Sequence, residues 1–273
     1  MPELAEVEVV RQRLCDEALR KRIKEVIINY GKTIETNKDD FKKHLVNQAF
    51  VDVKRKGKYL IFQTNDYDMV SHLRMEGRYY YKDSSDEVLK HEHVIFRFDN
   101  GKDLRYYDSR KFGRIALLPK NAYMEYPGIK KLGLDANDPS LTKEYLYEKL
   151  KNKKLAIKTS LLDQSIIAGL GNIYVNEVLF LAHIDPRISS DKITLKDCEH
   201  IIKYAKEVLD ESIKFKGTTI HSFESSLGVT GGYQEKLKVH GRANEECVQC
   251  KTKILKIKVN GRGTYYCPRC QKS

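Results

Sequence analysis

Three groups of residues in this chain have types and spacings that could do chemistry. The first is Pro2-Glu3, at the head of MPELAEVEVV. A proline there is either a helix starter or, once an initiator methionine is removed, a secondary amine that can attack an electrophilic carbon and form an iminium. The stretch alone leaves both readings open. The second group is Cys247, Cys250, Cys267 and Cys270, spaced C-x2-C-x16-C-x2-C. Four thiolates hold one Zn2+ tetrahedrally, and such a site is structural because no coordination position stays open. The other reading, two disulfides, belongs to oxidising compartments.

The third group is a scatter of basic, apolar and polar residues in short motifs. KRKGKYLIF carries Lys54, Arg55, Lys56 and Lys58 into a strand, either as a solvated face or as a phosphate-binding edge. HLRMEGRYY and DSRKFGR place Met75, Arg110 and Phe112 near the ends of strand-like runs. Such residues are core or, on loops of a DNA binder, wedges that fill the hole left by an extruded base. His91 and His93 in HEH suit phosphate contact or a structural role better than metal binding. Arg262, between Gly261 and Gly263, reads as a solvated turn or a phosphate contact. GLGNIYVNE starts a helix at Asn172, where backbone N–H groups and the helix dipole favour an anion. It lacks the context of a dinucleotide fingerprint.

These groups sit in a chain of 273 residues with a net charge of +12. That excess favours a polyanionic partner, nucleic acid first and anionic membrane second. No run approaches the roughly 20 apolar residues of a membrane span, and the N-terminus lacks the apolar core of a signal peptide. With Cys15 and Cys198 standing alone, the expectation is a reducing cytoplasm and a metal site.

The elements that must carry the groups follow from periodicity. Leu4, Val7, Val10, Leu14 and Ala18 step by threes and fours, one face of a helix. Residues 50–53, 59–64, 79–81, 94–98 and 115–118 read as strands, with Asn100-Gly101 as a hairpin turn. Residues 119–140 read as a linker. Residues 141–150, 156–167, 172–182 and 195–215 read as helices, and 239–273 as a small cysteine-bearing module.

PEL-x-EVE, KGKYL, HLRMEG, DSRKFGR, GLGNIYVNE and a VHGR segment followed by the four cysteines with GRGT stand here in order, from Pro2 to Gln271. In this the chain resembles bacterial formamidopyrimidine-DNA glycosylase. The resemblance implies an α+β multidomain fold. An N-terminal helix and β-sandwich would occupy residues 1–131, and a helix–two-turn–helix domain 132–236. A C-terminal four-cysteine zinc ribbon would occupy 237–273. It implies excision of oxidised purines, 8-oxoguanine and formamidopyrimidines, followed by β,δ-elimination at the abasic site. Pro2 maps to the nucleophile, Glu3 to the general acid/base, Lys58 to a proton donor in β-elimination and Arg262 to δ-elimination. Met75, Arg110 and Phe112 map to the void-filling set, with Arg110 facing the orphaned cytosine. His72, His91, Lys153 and Asn172 map to further DNA-contacting positions. One structural Zn2+, damaged double-stranded DNA as partner, no membrane and a monomeric, cytoplasmic enzyme on the nucleoid complete the expectation.

Two positions depart from the family pattern. Ala5 stands where the family usually has proline, which adds freedom to the segment aiming Pro2 while keeping a strong helix former. Ser109 stands in DSR where the family often has DPR. An endonuclease VIII-like enzyme for oxidised pyrimidines is the nearest rival, and Leu4 with the Met75, Arg110 and Phe112 set favours the purine branch. The segment from Thr218 to Gln234, with Gly228, Gly231 and Gly232, resembles the loop that closes over 8-oxoguanine and favours it too. A DNA-binding homologue without chemistry is the other rival, and the joint presence of Pro2, Glu3, Lys58 and Arg262 speaks against it.

Overall fold

The structure, a computed structural model, describes residues 1–218 and 231–272. Most of the segment that resembles the lesion loop lies outside the described residues. The chain packs as two units, residues 1–130 with 216–231, and 131–215 with 232–273.

The first unit begins with α1 (Leu4–Ala18). Glu3 is its N-cap in a capping box, and the Glu6 carboxylate accepts the Glu3 backbone N–H at 2.9 Å. The stripe Leu4, Val7, Val10, Leu14 and Ala18 is buried throughout. Then follow β1 (Ile23–Ile28), α2 (Lys38–Leu45), β2 (Asp52–Lys56), β3 (Tyr59–Gln63), β4 (Tyr67–His72) and β5 (Arg78–Asp83). β6 (Glu92–Phe98), β7 (Lys102–Tyr107), β8 (Arg114–Pro119) and the one-turn α3 (Pro127–Lys130) complete it. The strands form two four-stranded sheets, ordered β1-β6-β7-β5 and β2-β3-β4-β8. Their inner faces and the α1 stripe share one apolar core that includes Phe41, Phe50, Phe62, Tyr79, Phe96, Phe98 and Tyr106.

Some strands were hidden from periodicity by buried polar groups. β4 keeps Asp68 and Ser71 fully inside. Gln63 donates to Asp68 at 3.0 Å, and Tyr79 donates to Ser71 at 2.8 Å, so neither burial leaves an orphan. The β6–β7 hairpin forms where Asn100-Gly101 marked it. Only Gly101 takes positive φ, at 78°, so the turn is a three-residue loop with a glycine bulge rather than a two-residue one.

The second unit contains β9 (Leu134–Asp135), α4 (Lys143–Leu150), α5 (Ile157–Leu162), β10 (Ile167–Ala168), α6 (Asn172–Leu181), α7 (Leu195–Lys214), β11 (Leu255–Val259) and β12 (Arg262–Tyr266). Thr194 and Asp197 form a capping box at the start of α7. α5 ends at Leu162, short of 167, because the Asp163 carboxylate turns the chain by accepting from the Ser165 N–H and hydroxyl. The turn delivers β10 to a parallel pairing with β9. The stretch 119–140 thus carries short ordered elements where a plain linker was expected. Among the described residues, no helix is long and apolar enough to cross a membrane.

Candidate nucleic-acid interface and zinc centre

Pro2 and Glu3 are both buried at the head of α1. The carboxylate that organises them is Glu6. One oxygen takes the Glu3 N–H. The other takes the Thr218 backbone N–H at 2.9 Å and its hydroxyl at 3.0 Å. Gly217 has φ +78°, and a Cβ there would stand 3.0 Å from the same oxygen. Glu6 therefore ties the helix cap to residue 218, where the described chain stops. Sequence reasoning passed over it, because the capping-box signature needs Ser, Thr, Asp or Asn at the N-cap and Glu3 stands there.

In this chain the terminal amine is that of Met1, and the Pro2 nitrogen is an amide. Burial lowers the pKa of that amine, Glu3 and Glu6 oppose the shift, and Lys58 and Arg110 add to it. The amine thus feels two of the expected site cations at once.

Lys58 is buried to 5% exposure in the two-residue turn between β2 and β3. Gly57 takes φ 55° there, the glycine-first geometry of a tight hairpin. Tertiary structure splits the basic run. Arg55 is spent on Glu8 at 3.0 Å and on the Gly57 carbonyl at 3.1 Å, while Lys54 faces solvent. Burial works against ionisation of Glu8, yet hydrogen bonds from Arg11 and Arg55 hold its carboxyl below the usual range. His72, at the end of β4, is buried edge-on against Tyr59, and its Nδ1 accepts the Arg74 N–H at 2.9 Å. Burial, with the charges of Arg74 and Lys58, pushes its pKa down to about 3. His72 is a neutral ring carrying its proton on Nε2.

Met75 and the pair Arg110–Phe112 sit on two loops, after β4 and after β7. In each, a non-glycine residue with positive φ immediately precedes the apolar side chain: Arg74 at 54° before Met75, Lys111 at 61° before Phe112. Such residues cost on the order of 1 kcal/mol each and persist where the surroundings over-determine them. In the second loop the determinant is Asp108. Its Oδ1 accepts the Arg110 N–H at 3.0 Å, and its Oδ2 the Gly113 N–H at 2.8 Å. Its carbonyl accepts His93 Nε2–H at 2.7 Å. Phe112 is 49% exposed with the Arg110 guanidinium 5.0 Å above its ring, and Met75 is half-buried. His93 is structural. His91 is half-buried against Tyr107, and its Nδ1 has no partner among the described residues.

Lys153, Asn172 and Arg262 belong to the second unit. Lys153 is half-buried in the turn after α4. Arg262 is exposed and opens β12, directly after a two-residue turn in which Asn260 and Gly261 take φ 46° and 75°. Asn172 donates its side-chain amide to the Gly263 carbonyl at 3.1 Å, so that amide steadies the Arg262 hairpin. The strongest tie is one the sequence concealed. Lys158, fully buried in α5, donates to Asn176 Oδ1 at 2.8 Å, the Gly263 carbonyl at 2.9 Å and Thr264 Oγ1 at 2.8 Å. Asn176 continues to His240 Nδ1 at 2.7 Å. Glu177 accepts three successive backbone N–H groups, of Lys238, Val239 and His240, at 2.7, 3.0 and 2.8 Å. Burial raises its pKa, and those three donors oppose the rise. A signal existed for Asn176 and Glu177, since both interrupt the apolar helix NIYVNEVLFL. For Lys158 nothing distinguished one lysine among fifty basic residues.

The four cysteine Sγ atoms lie within 4.8 Å of one another, with Cys247–Cys270 at 3.8 Å and Cys250–Cys267 at 3.4 Å. Zn–S bonds of about 2.3 Å in a tetrahedron put sulfurs about 3.8 Å apart, so the set fits one zinc ion. It is the one such cluster among the described residues, and the HEH histidines are not part of any. Gln271 locks the second CxxC: its carbonyl accepts the Cys267 N–H at 2.8 Å and its amide reaches the Ile184 carbonyl at 2.9 Å.

Comparison with known proteins agrees across the chain. The formamidopyrimidine-DNA glycosylase N-terminal domain matches residues 1–115, the H2TH domain of the same glycosylase 132–224, and a zinc finger found in FPG and IleRS 244–272. The formamidopyrimidine-DNA glycosylase of Ureaplasma parvum serovar 3 is 45% identical over 274 residues, covering 99% of this chain and 100% of that protein. That of Lactobacillus helveticus is 45% identical over 272 residues, 99% of each. The structure of wild-type Lactococcus lactis Fpg in complex with an N7-benzyl-Fapy-dG containing DNA aligns with TM-score 0.94 at 37% identity over 100% of both chains.

Proposed function

The chain belongs to the formamidopyrimidine-DNA glycosylase family, and on that premise we propose how its residues act. It is a base-excision-repair enzyme that removes oxidised purines from DNA and cleaves the resulting abasic site. With Met1 removed, the Pro2 amine attacks C1′ of the damaged nucleotide, and the base departs. The amine loses its proton and the C1′–O4′ bond then breaks, O4′ taking up a proton as the sugar ring opens, so that the adduct becomes a cationic iminium that acidifies the C2′ proton. An α-amino group titrates near pH 8, so a fraction is already neutral at pH 7. Glu3 transfers protons beside the amine. Lys58 donates a proton in β-elimination, and Arg262 serves δ-elimination. Met75, Arg110 and Phe112 fill the space vacated by the flipped base. His72, His91, Lys153 and Asn172 contact the DNA. The enzyme works as a monomer in the bacterial cytoplasm.

The observation that carries this reading is the buried head of α1, where Pro2 and Glu3 are both buried, Glu6 fixes the helix cap, and Lys58 is buried in the turn between β2 and β3. Borohydride trapping on a duplex with 8-oxoguanine opposite cytosine, followed by peptide mass mapping, tests it. The expected result is an adduct on a peptide beginning at Pro2. Tight DNA binding without any adduct would overturn the proline mechanism. Affinity should also fall steeply between low and moderate salt as counterions are released. A flat response would remove the basic-groove picture.

A further inference from the structure

The two loops that carry Met75 and Arg110–Phe112 are fastened to each other. Their glycines, Gly77 and Gly113, end on the same atom. A Cβ built on Gly113 would lie 1.6 Å from the Tyr106 hydroxyl oxygen, and one on Gly77 would lie 2.5 Å from it. Neither glycine has positive φ, so the requirement is for room. Tyr106 is fully buried on β7, paired in register with Tyr79 and Val94 inside the sheet, and cannot yield. Over this floor runs a hydrogen bond from the Ser109 hydroxyl of one loop to the Glu76 carboxylate of the other. Ser109 is the position at which DSR replaces the DPR common in the family, and a proline could not make the bond.

We propose that Ser109, Glu76 and the Tyr106 hydroxyl couple the two loops, so that Met75 and Phe112 enter the DNA as one unit. They are positioning residues. The proposal rests on the reading of Met75, Arg110 and Phe112 as void-filling side chains.

The test is a double-mutant cycle on the rate of borohydride-trappable adduct formation with 8-oxoguanine duplex. Met75→Ala and Phe112→Ala are measured singly and together, in wild type and in Ser109→Ala. In wild type the double variant should lose less than the product of the two single losses, by on the order of threefold to tenfold, within the span seen for residues sharing a network. In Ser109→Ala the losses should multiply. Ser109→Thr, which keeps a hydroxyl, should restore the coupling. Tyr106→Phe, with thermal unfolding as a check that the sheet stands, should also abolish it. Losses that multiply in wild type would overturn the coupling while leaving the void-filling reading intact. Coupling that persists unchanged in both Ser109→Ala and Tyr106→Phe would overturn the assignment to these residues. Single variants that each keep the full rate would overturn the void-filling reading itself, and the coupling with it.

Discussion

The β-sandwich and the zinc ribbon hold the residues proposed to face DNA by different means. Met75, Arg110 and Phe112 stand on loops of a unit with a large apolar core, built from two sheets and the α1 stripe. Arg262 stands on a two-stranded hairpin whose core is little more than Phe180, Val239, Ile254 and two of the cysteines. A core that small cannot fix a hairpin through apolar burial alone. The ribbon is instead held by a metal site and by polar groups of α5 and α6: the buried Lys158, Asn176 and Glu177, and the half-buried Asn172. The difference teaches where each active element is vulnerable. The sandwich should be sensitive to proton uptake by its buried groups, the ribbon to loss of metal or of a single buried partner.

The largest effect should come from the metal. Structural zinc contributes about 10 kcal/mol or more to folding of such modules. Chelation, or Cys267→Ala, should unfold the ribbon and weaken DNA binding while the near-UV signal of the sandwich tyrosines persists. Normal DNA binding after chelation would break the contrast between the units. Next is Lys158→Met, which leaves the acceptors of Asn176, Gly263 and Thr264 without their buried donor. It should cost about 3 kcal/mol, read as faster hydrogen exchange across β11 and β12 and faster zinc release to a chelator. Exchange unchanged from wild type would show that the zinc alone fixes the hairpin.

The sandwich should show its sensitivity as pH falls. His72 titrates at about 3 when folded and near 6.5 when unfolded. The unfolded chain therefore takes up the proton first. Stability from this source is complete above pH ~6.5 and is lost progressively as the pH drops towards 3. Between pH 7.5 and 5 the loss should be about 2 kcal/mol. Urea unfolding of wild type and His72→Gln at both values checks it, since the variant should have a flatter slope. The smallest effect on stability belongs to Phe112→Ala. With its ring half exposed, the change should fall within about 0.5 kcal/mol while slowing trapping on lesion DNA. A large drop in Tm would mark Phe112 as core.

The parts legible in the sequence were those set by local chemistry. The α1 stripe followed from spacing, the β6–β7 hairpin from Asn100-Gly101, and the zinc cluster from the CxxC pairs. β4 was illegible because its buried Asp68 and Ser71 imitate a polar loop until Gln63 and Tyr79 are seen to satisfy them. The run Lys54–Arg55–Lys56–Lys58 looked uniform. Only the approach of Glu8 distinguished Arg55, a structural ion pair, from Lys58, buried near the terminal amine.

The sequence by itself determined α1, the β6–β7 hairpin, the metal ligands and the family, because periodicity, turn glycines and thiol spacing act over a few residues. Tertiary structure alone decided that Glu6 ties the helix cap to Thr218, that Lys158 steadies the Arg262 hairpin, and that Ser109 reaches Glu76. In each case a polar side chain meets a partner at least 33 residues away in the chain. What such a group does depends on which acceptor the fold brings within about 3 Å, and no local pattern encodes that.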